Sequence, residues 1–233
     1  MIYARSIGTP TGETWPIAIN KADVSIVGWR EEGNRSTNIV PSGDTAAVAI
    51  TENNVSLIGI GFGGGATHGA IEFSAASNWS STLIKECWFG VQYGMQDAIL
   101  VAAGIDAAYL TVIDCWFGRL ITRDGIRIDN NATWAQLGLP GHGNRFQNVA
   151  GVGINAVNLY EAQVYDNRFR LPSNTEGKAI SLAAGTTLCY IDGNRANYGK
   201  ADMGTNPFKD LGAATNTWGL NYKGVTATLP VTA

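Results

Sequence analysis

The stretch Leu110-Thr-Val-Ile-Asp-Cys-Trp-Phe-Gly118 reads as an ordinary buried strand, but the chain has already said almost the same thing. Residues 81–90 are Ser-Thr-Leu-Ile-Lys-Glu-Cys-Trp-Phe-Gly. Both segments close on Cys-Trp-Phe-Gly, with Cys87 and Cys115 at the same place. Aligning the chain on that Cys brings out further copies. Asn144, Asn167 and Asn194 take the marker position in GNRF, DNRF and GNRA, and Ile60 and Trp29 take it upstream. The spacings are 31, 27, 28, 29, 23 and 27 residues, which makes seven units. A fixed period in this range is the signature of a stacked repeat architecture.

The flanking columns keep the register. Three residues before the marker stand Ile26, Leu57, Ile84, Val112, Gly141, Val164 and Ile191. Five before stand Val24, Val55, Thr82, Leu110, Leu139, Ala162 and Cys189. Two after, Phe62, Phe89, Phe117, Phe146 and Phe169 recur. Apolar residues at period two make a strand with one buried face. The residue just before the marker is Gly, Asp or Glu, which suits a one-residue bend, left-handed at the glycines. A second alternating strand recurs in each unit, from Ile17-Ala-Ile19 through Ile180-Ser-Leu182. No long stretch carries apolar residues at helical spacing.

These units predict a parallel coil of β-structure in which equivalent residues lie above one another at about 4.8 Å. Seven units give a rod of roughly 34 Å. Stacking then accounts for the opening repetition. Asn144, Asn167 and Asn194 form an amide ladder, and Cys87 over Cys115 occupies the same inward slot. The pattern resembles the single-stranded right-handed parallel β-helix of the pectate-lyase-like superfamily. The resemblance covers about residues 15–198, so the expected organisation is a β-helix over 1–198 and a cap or intersubunit arm over 199–233. A leucine-rich repeat is the rival, but its Leu-x-x-Leu-x-Leu frame is not kept and no unit has a helical half.

Composition narrows the function. Gly is 29 of 233 residues, above the ordinary share of about 7%, as frequent tight turns require. The net charge of −3 speaks against nucleic acid as a partner, and no apolar run approaches the ~20 residues of a membrane span. The opening MIYARSIGTPTGE lacks a signal-peptide core and reads as the middle of a coil, which leaves that end open for a partner. Three cysteines form no disulfide framework. His68 and His142 are too few for a metal site, and no cofactor is expected.

Chemistry must then sit on outward positions. The residue after each marker is Arg30, Gly61, Trp88, Trp116, Arg145, Arg168 and Arg195. Two stacked Trp followed by three stacked Arg form a candidate strip for a polysaccharide or protein partner, because Trp faces stack on sugars and Arg forks bind carboxylates. The alternative is a surface salt-bridge ladder fed by Glu86, Asp114 and Asp166, with Trp116 stacked on Arg145. If the protein is an enzyme acting on acidic glycans, as a lyase or a glycoside hydrolase, its catalytic set is Glu72, Asp124, Arg127 and Asp129. The second-strand face shows no stacked carboxylate pair, so the leading expectation is non-catalytic. Small β-helices of this kind resemble bacteriophage tailspike, fibre and head-decoration proteins. That resemblance implies a non-enzymatic virion structural or adhesion protein, made in the host cytoplasm. It implies a homotrimer in contact with other virion proteins or a cell-surface polysaccharide. Phe208, Trp218 and Tyr222 are the expected anchors of the tail on a neighbour. A plain carbohydrate-binding module using the strip is a third reading.

Overall fold

The computed structural model describes residues 2–4, 14–28, 37–74, 81–90, 93–171, 178–196, 206–212, 215–224 and 226–232. Within them the protein is all-β, a parallel β-solenoid without a helix. Three sheets run along its length. The first opens with Ile17–Ile19 and Val48–Ile50 and closes with Phe208–Asp210. The second runs from Ile2–Ala4 and Ser25–Gly28 to Thr217–Trp218, and the third from Asn38–Ile39 to Thr226–Ala227. They hold eight, nine and nine strands. The number of coils therefore differs slightly from the seven units counted in the sequence.

Pairing across coils follows the predicted columns. Leu57 lies beside Ile84, Ile84 beside Val112, and Val164 beside Ile191. These side chains are buried, as are their first-sheet counterparts Ile71, Ile99, Ile126, Ile154 and Ile180. The Phe column forms a continuous ring stack inside the coil. Ring centroids are 5.3 Å apart for Phe62–Phe89, 5.1 Å for Phe89–Phe117, 4.4 Å for Phe117–Phe146 and 4.8 Å for Phe146–Phe169. The bend before the marker is left-handed at Gly59 and Gly193, as expected, and also at Glu86, Asp114 and Asp166.

Two units depart from the predicted register. In the fifth, Leu137 rather than Gly141 is the inward residue, paired with both Val112 and Val164. Ala135 takes the buried place expected for Leu139. Gly138 makes the bend with φ +84°, and a side chain there would run into the Tyr165 carbonyl, 2.1 Å from a Cβ. Residues 139–143 are thus an insertion at the corner, closed on itself by the Leu139–His142 bridge. In the first unit the third-sheet strand is Asn38–Ile39, so Thr37 holds the marker position. Trp29 and Arg30 lie outside the described residues.

The repeat also continues past Asn197. Phe208–Asp210, Thr217–Trp218 and Tyr222–Lys223 add one strand to each sheet. Asn221 becomes a further rung of the amide ladder. Inward places turn polar in this coil. Asp210 is buried in line with Leu182 and accepts from Asn216 Nδ2 and Trp218 Nε1, while Lys223 stands in the Phe column beside Ala196. Phe208 is fully buried in its own chain's core, so it is not a surface anchor.

The cysteines are free and buried. Their thiols mimic the ladder: Cys87 Sγ donates to Leu57 O and Cys115 Sγ to Ile84 O, one coil back, as Asn144 Nδ2 does to Val112 O. Burial pushes Cys189 up to about 11 and Cys115 well above the ordinary thiol range. Because the thiolate is the reactive form, alkylation of folded protein at pH 8 is expected to run at least ~100-fold slower than in denaturant. Fast labelling of the folded chain would contradict this burial.

Candidate functional site

The strip expected on the outward side of the third sheet is present and in register. Trp88 pairs with Trp116, Trp116 with Arg145, Arg145 with Arg168, and Arg168 with Arg195. Tyr222 follows Arg195 in the same column. The column arises because the bend puts the residue after each buried marker on the outside, and strand alternation sends the next one in. Rings stand at both ends of the arginines. Arg145 Cζ lies 5.3 Å from the centroid of Trp116, and Arg195 Cζ lies 5.3 Å from that of Tyr222. Such contacts hold a guanidinium flat without removing its charge.

The acidic neighbours expected to balance this charge are engaged elsewhere. Glu86 pairs with Lys85 at 3.4 Å. Asp114 Oδ2 lies 3.0 Å from His142 Nδ1, and Asp166 Oδ2 accepts from Gly141 N at 2.7 Å. Both of the latter partners come from the 139–143 insertion, which was not legible in the repeat. Among the described residues, Arg145, Arg168 and Arg195 have no ion-pair partner, and all three are exposed. The surface salt-bridge ladder is therefore not what this column forms. Stacked at the inter-strand spacing, neighbouring guanidiniums repel by about 1 kcal/mol in a water-like dielectric, which an anion between them would reverse.

These residues line a groove of about 570 Å³. Arg145, Arg168 and Arg195 face it, the insertion supplies Gly141 and Gly143, and Tyr222 is part of the lining. Asp166 is the one carboxylate in that lining. An adjoining recess of about 160 Å³ adds Arg170, on the same outward side of the strand as Arg168. Sequence reading missed Arg170, although Arg-Phe-Arg at period two already placed it there. It also missed Tyr222, taken for an oligomer anchor, whose signal was the recurrence of Asn221 at 27 residues from Asn194. Trp218 lies on the inward side of the second sheet, tilted against Phe208 with centroids 5.8 Å apart.

The alternative catalytic set is brought together only in part. Arg127 Nη1 bonds Asp124 Oδ2 at 3.0 Å, and its Nε bonds Asp129 Oδ2 at 2.7 Å. Asp124 is buried and also accepts from Val152 N and Asn155 Nδ2. Burial works against the charge of Arg127, but its bonds to Asp129 and Asp124 outweigh this and raise its pKa. A raised pKa is the wrong direction for an arginine that must act as a base. Glu72 stands two rungs away across Leu100 and accepts from Gly69 N and His68 Nδ1. Each carboxylate is thus committed to a partner within the fold.

Among the described residues no group of three or more His, Cys, Asp and Glu side chains is arranged to hold a metal ion. No helix among them is long and apolar enough to cross a membrane. No family model, no curated protein and no solved structure matches the chain.

Proposed function

We propose that the protein is a non-enzymatic structural or adhesion module that grips an acidic polysaccharide along the third-sheet strip. The observation that carries this reading is the run Arg145, Arg168 and Arg195, exposed, in register, unpaired among the described residues and bracketed by Trp116 and Tyr222. Guanidinium forks take carboxylates in a bidentate manner, and the rings at either end offer apolar surface to sugar rings. A rigid ladder orders no loop on binding, which keeps the entropic cost low. The setting we favour is a bacteriophage particle, with other virion proteins and a host-surface glycan as partners. The β-helical architecture alone supports that setting.

The test is calorimetric titration with an oligouronate, beside a neutral oligosaccharide of equal length. Wild type is expected to bind the acidic chain only. Arg145→Glu with Arg168→Glu removes two charge-assisted contacts, each about 1.5–3 kcal/mol, so affinity is expected to fall at least ~100-fold. Both side chains point outward, and the fold is expected to survive, as circular dichroism would show. Equal affinity of the double variant would remove the strip from the binding surface.

A further inference from the structure

The recess beside the groove differs from it in kind. Arg145 and Gln147 stand outward on one strand and Arg168 and Arg170 on the next, with Arg145 beside Arg168 and Gln147 beside Arg170. The four positions make a rectangle, about 4.8 Å across the strands and about 6.6 Å along them. Three corners are guanidiniums, and the fourth is a neutral amide. Arg145, Phe146, Arg168 and Arg170 line the recess without a carboxylate, whereas Asp166 belongs to the lining of the groove.

Among the described residues Arg170, like Arg145 and Arg168, has no ion-pair partner. Like charges on adjacent strands destabilise a sheet. The base that holds them is nonetheless fixed, because Phe146 and Phe169 stack on its inward side with centroids 4.8 Å apart. Trp116 steadies the Arg145 guanidinium, whose Cζ lies 5.3 Å from the ring centroid. Three cations are thus kept together at a cost that an anion between them relieves.

We infer that this recess is a subsite for a phosphate monoester carried by the glycan that lies in the groove. The inference rests on the glycan reading for the carrier, but not for the anion. A carboxylate brings one charge and two oxygens in one plane, enough for one fork. A phosphate monoester brings close to two negative charges at neutral pH and three peripheral oxygens, one for each guanidinium. The planar forks of arginine suit that arrangement. Size agrees: the recess is about 160 Å³ beside a groove of about 570 Å³, so the smaller space takes a substituent and the larger one the sugars. A nucleic-acid backbone fits less well, since each phosphodiester brings a single charge and would meet a chain of net charge −3.

Calorimetric titration with a hexose 6-phosphate and with the matching hexuronate tests the subsite. Wild type is expected to bind the phosphate at least ~10-fold more tightly, the effect of one further charge-assisted contact. Arg170→Gln keeps a donor but drops the charge. It is expected to weaken phosphate binding at least ~10-fold and to abolish the preference. Arg195→Gln alters the strip outside the recess and is expected to retain the preference. Circular dichroism checks that both variants keep the fold. A wild type without the preference, a preference that survives Arg170→Gln, or one that Arg195→Gln removes each overturns the subsite. So does a phosphoserine peptide that binds more tightly than the hexose phosphate, because the carrier would then be a protein. Failure of the glycan reading is seen separately, as an oligouronate that does not bind wild type. An oligouronate that binds, with no preference for the hexose phosphate, sinks the subsite alone.

Discussion

Replacing Asn167 by Asp is expected to lower stability by roughly 4 kcal/mol, because it reverses the polarity of two buried bonds at once. Asn167 is fully buried. Its Oδ1 accepts from Asn144 N and Asn144 Nδ2, both at 3.0 Å. Its Nδ2 donates to Leu137 O at 2.8 Å and to Asn194 Oδ1 at 3.0 Å. Aspartate keeps the first pair but sets oxygen against oxygen in the second. Each bond lost with its partner left dry costs about 1–3 kcal/mol, and an added charge without a counter-ion costs more. The measurement is urea unfolding followed by circular dichroism. The sign of the pH effect is fixed. Burial raises the folded-state pKa of the new carboxyl above its unfolded value, so the deficit is largest at neutral pH. It shrinks as pH falls toward the unfolded pKa. A loss under ~1 kcal/mol at pH 7 would show that the ladder is not dry.

Phe146→Ala is expected to cost about 3–5 kcal/mol, the range for emptying a large buried ring site. Phe146 is clasped on both sides, 4.4 Å from Phe117 and 4.8 Å from Phe169. Gly125 lies against the ring, which a Cβ there would meet at 2.6 Å, and it has no side chain to fill the space left by the ring. Phe62 heads the stack, with one ring neighbour at 5.3 Å, and Phe62→Ala is expected to cost about 1 kcal/mol less. Chemical denaturation of the two variants side by side gives the comparison. Equal losses would mean that the rings act singly rather than as a stack.

Most of the architecture was legible because stacking puts like over like, and the chain says so in Cys87, Cys115, Asn144, Asn167 and Asn194. Alternation then gave the inward Phe column and the outward Trp and Arg column together. Two things hid the rest. The 139–143 insertion imitates the repeat, since Leu139 and Gly141 have the right spacing from Asn144 while Ala135 and Leu137 carry the actual register. The final coil lost its apolar code, with Asp210, Asn216 and Lys223 where earlier coils have Leu182, Cys189 and Ala196. Periodicity in hydrophobicity cannot report a coil whose inward places are polar. The freedom of the arginines was not legible either, because it depends on a loop amide and a histidine occupying Asp166 and Asp114.

A pile of parallel rungs is a template at each end, ready to recruit another chain as amyloid does. Here that growth meets a reversed polarity. Thr226–Ala227 lies antiparallel on Tyr222–Lys223, so the third sheet no longer presents a parallel edge. Val231 exchanges bonds with Phe208 O and Asp210 N, both at 3.0 Å, and so occupies the edge of the first sheet. Fibril elongation by end-to-end templating has two of its three docking edges blocked at this end. Among the described residues, the strand left at the edge of its sheet there is Thr217–Trp218 of the second sheet.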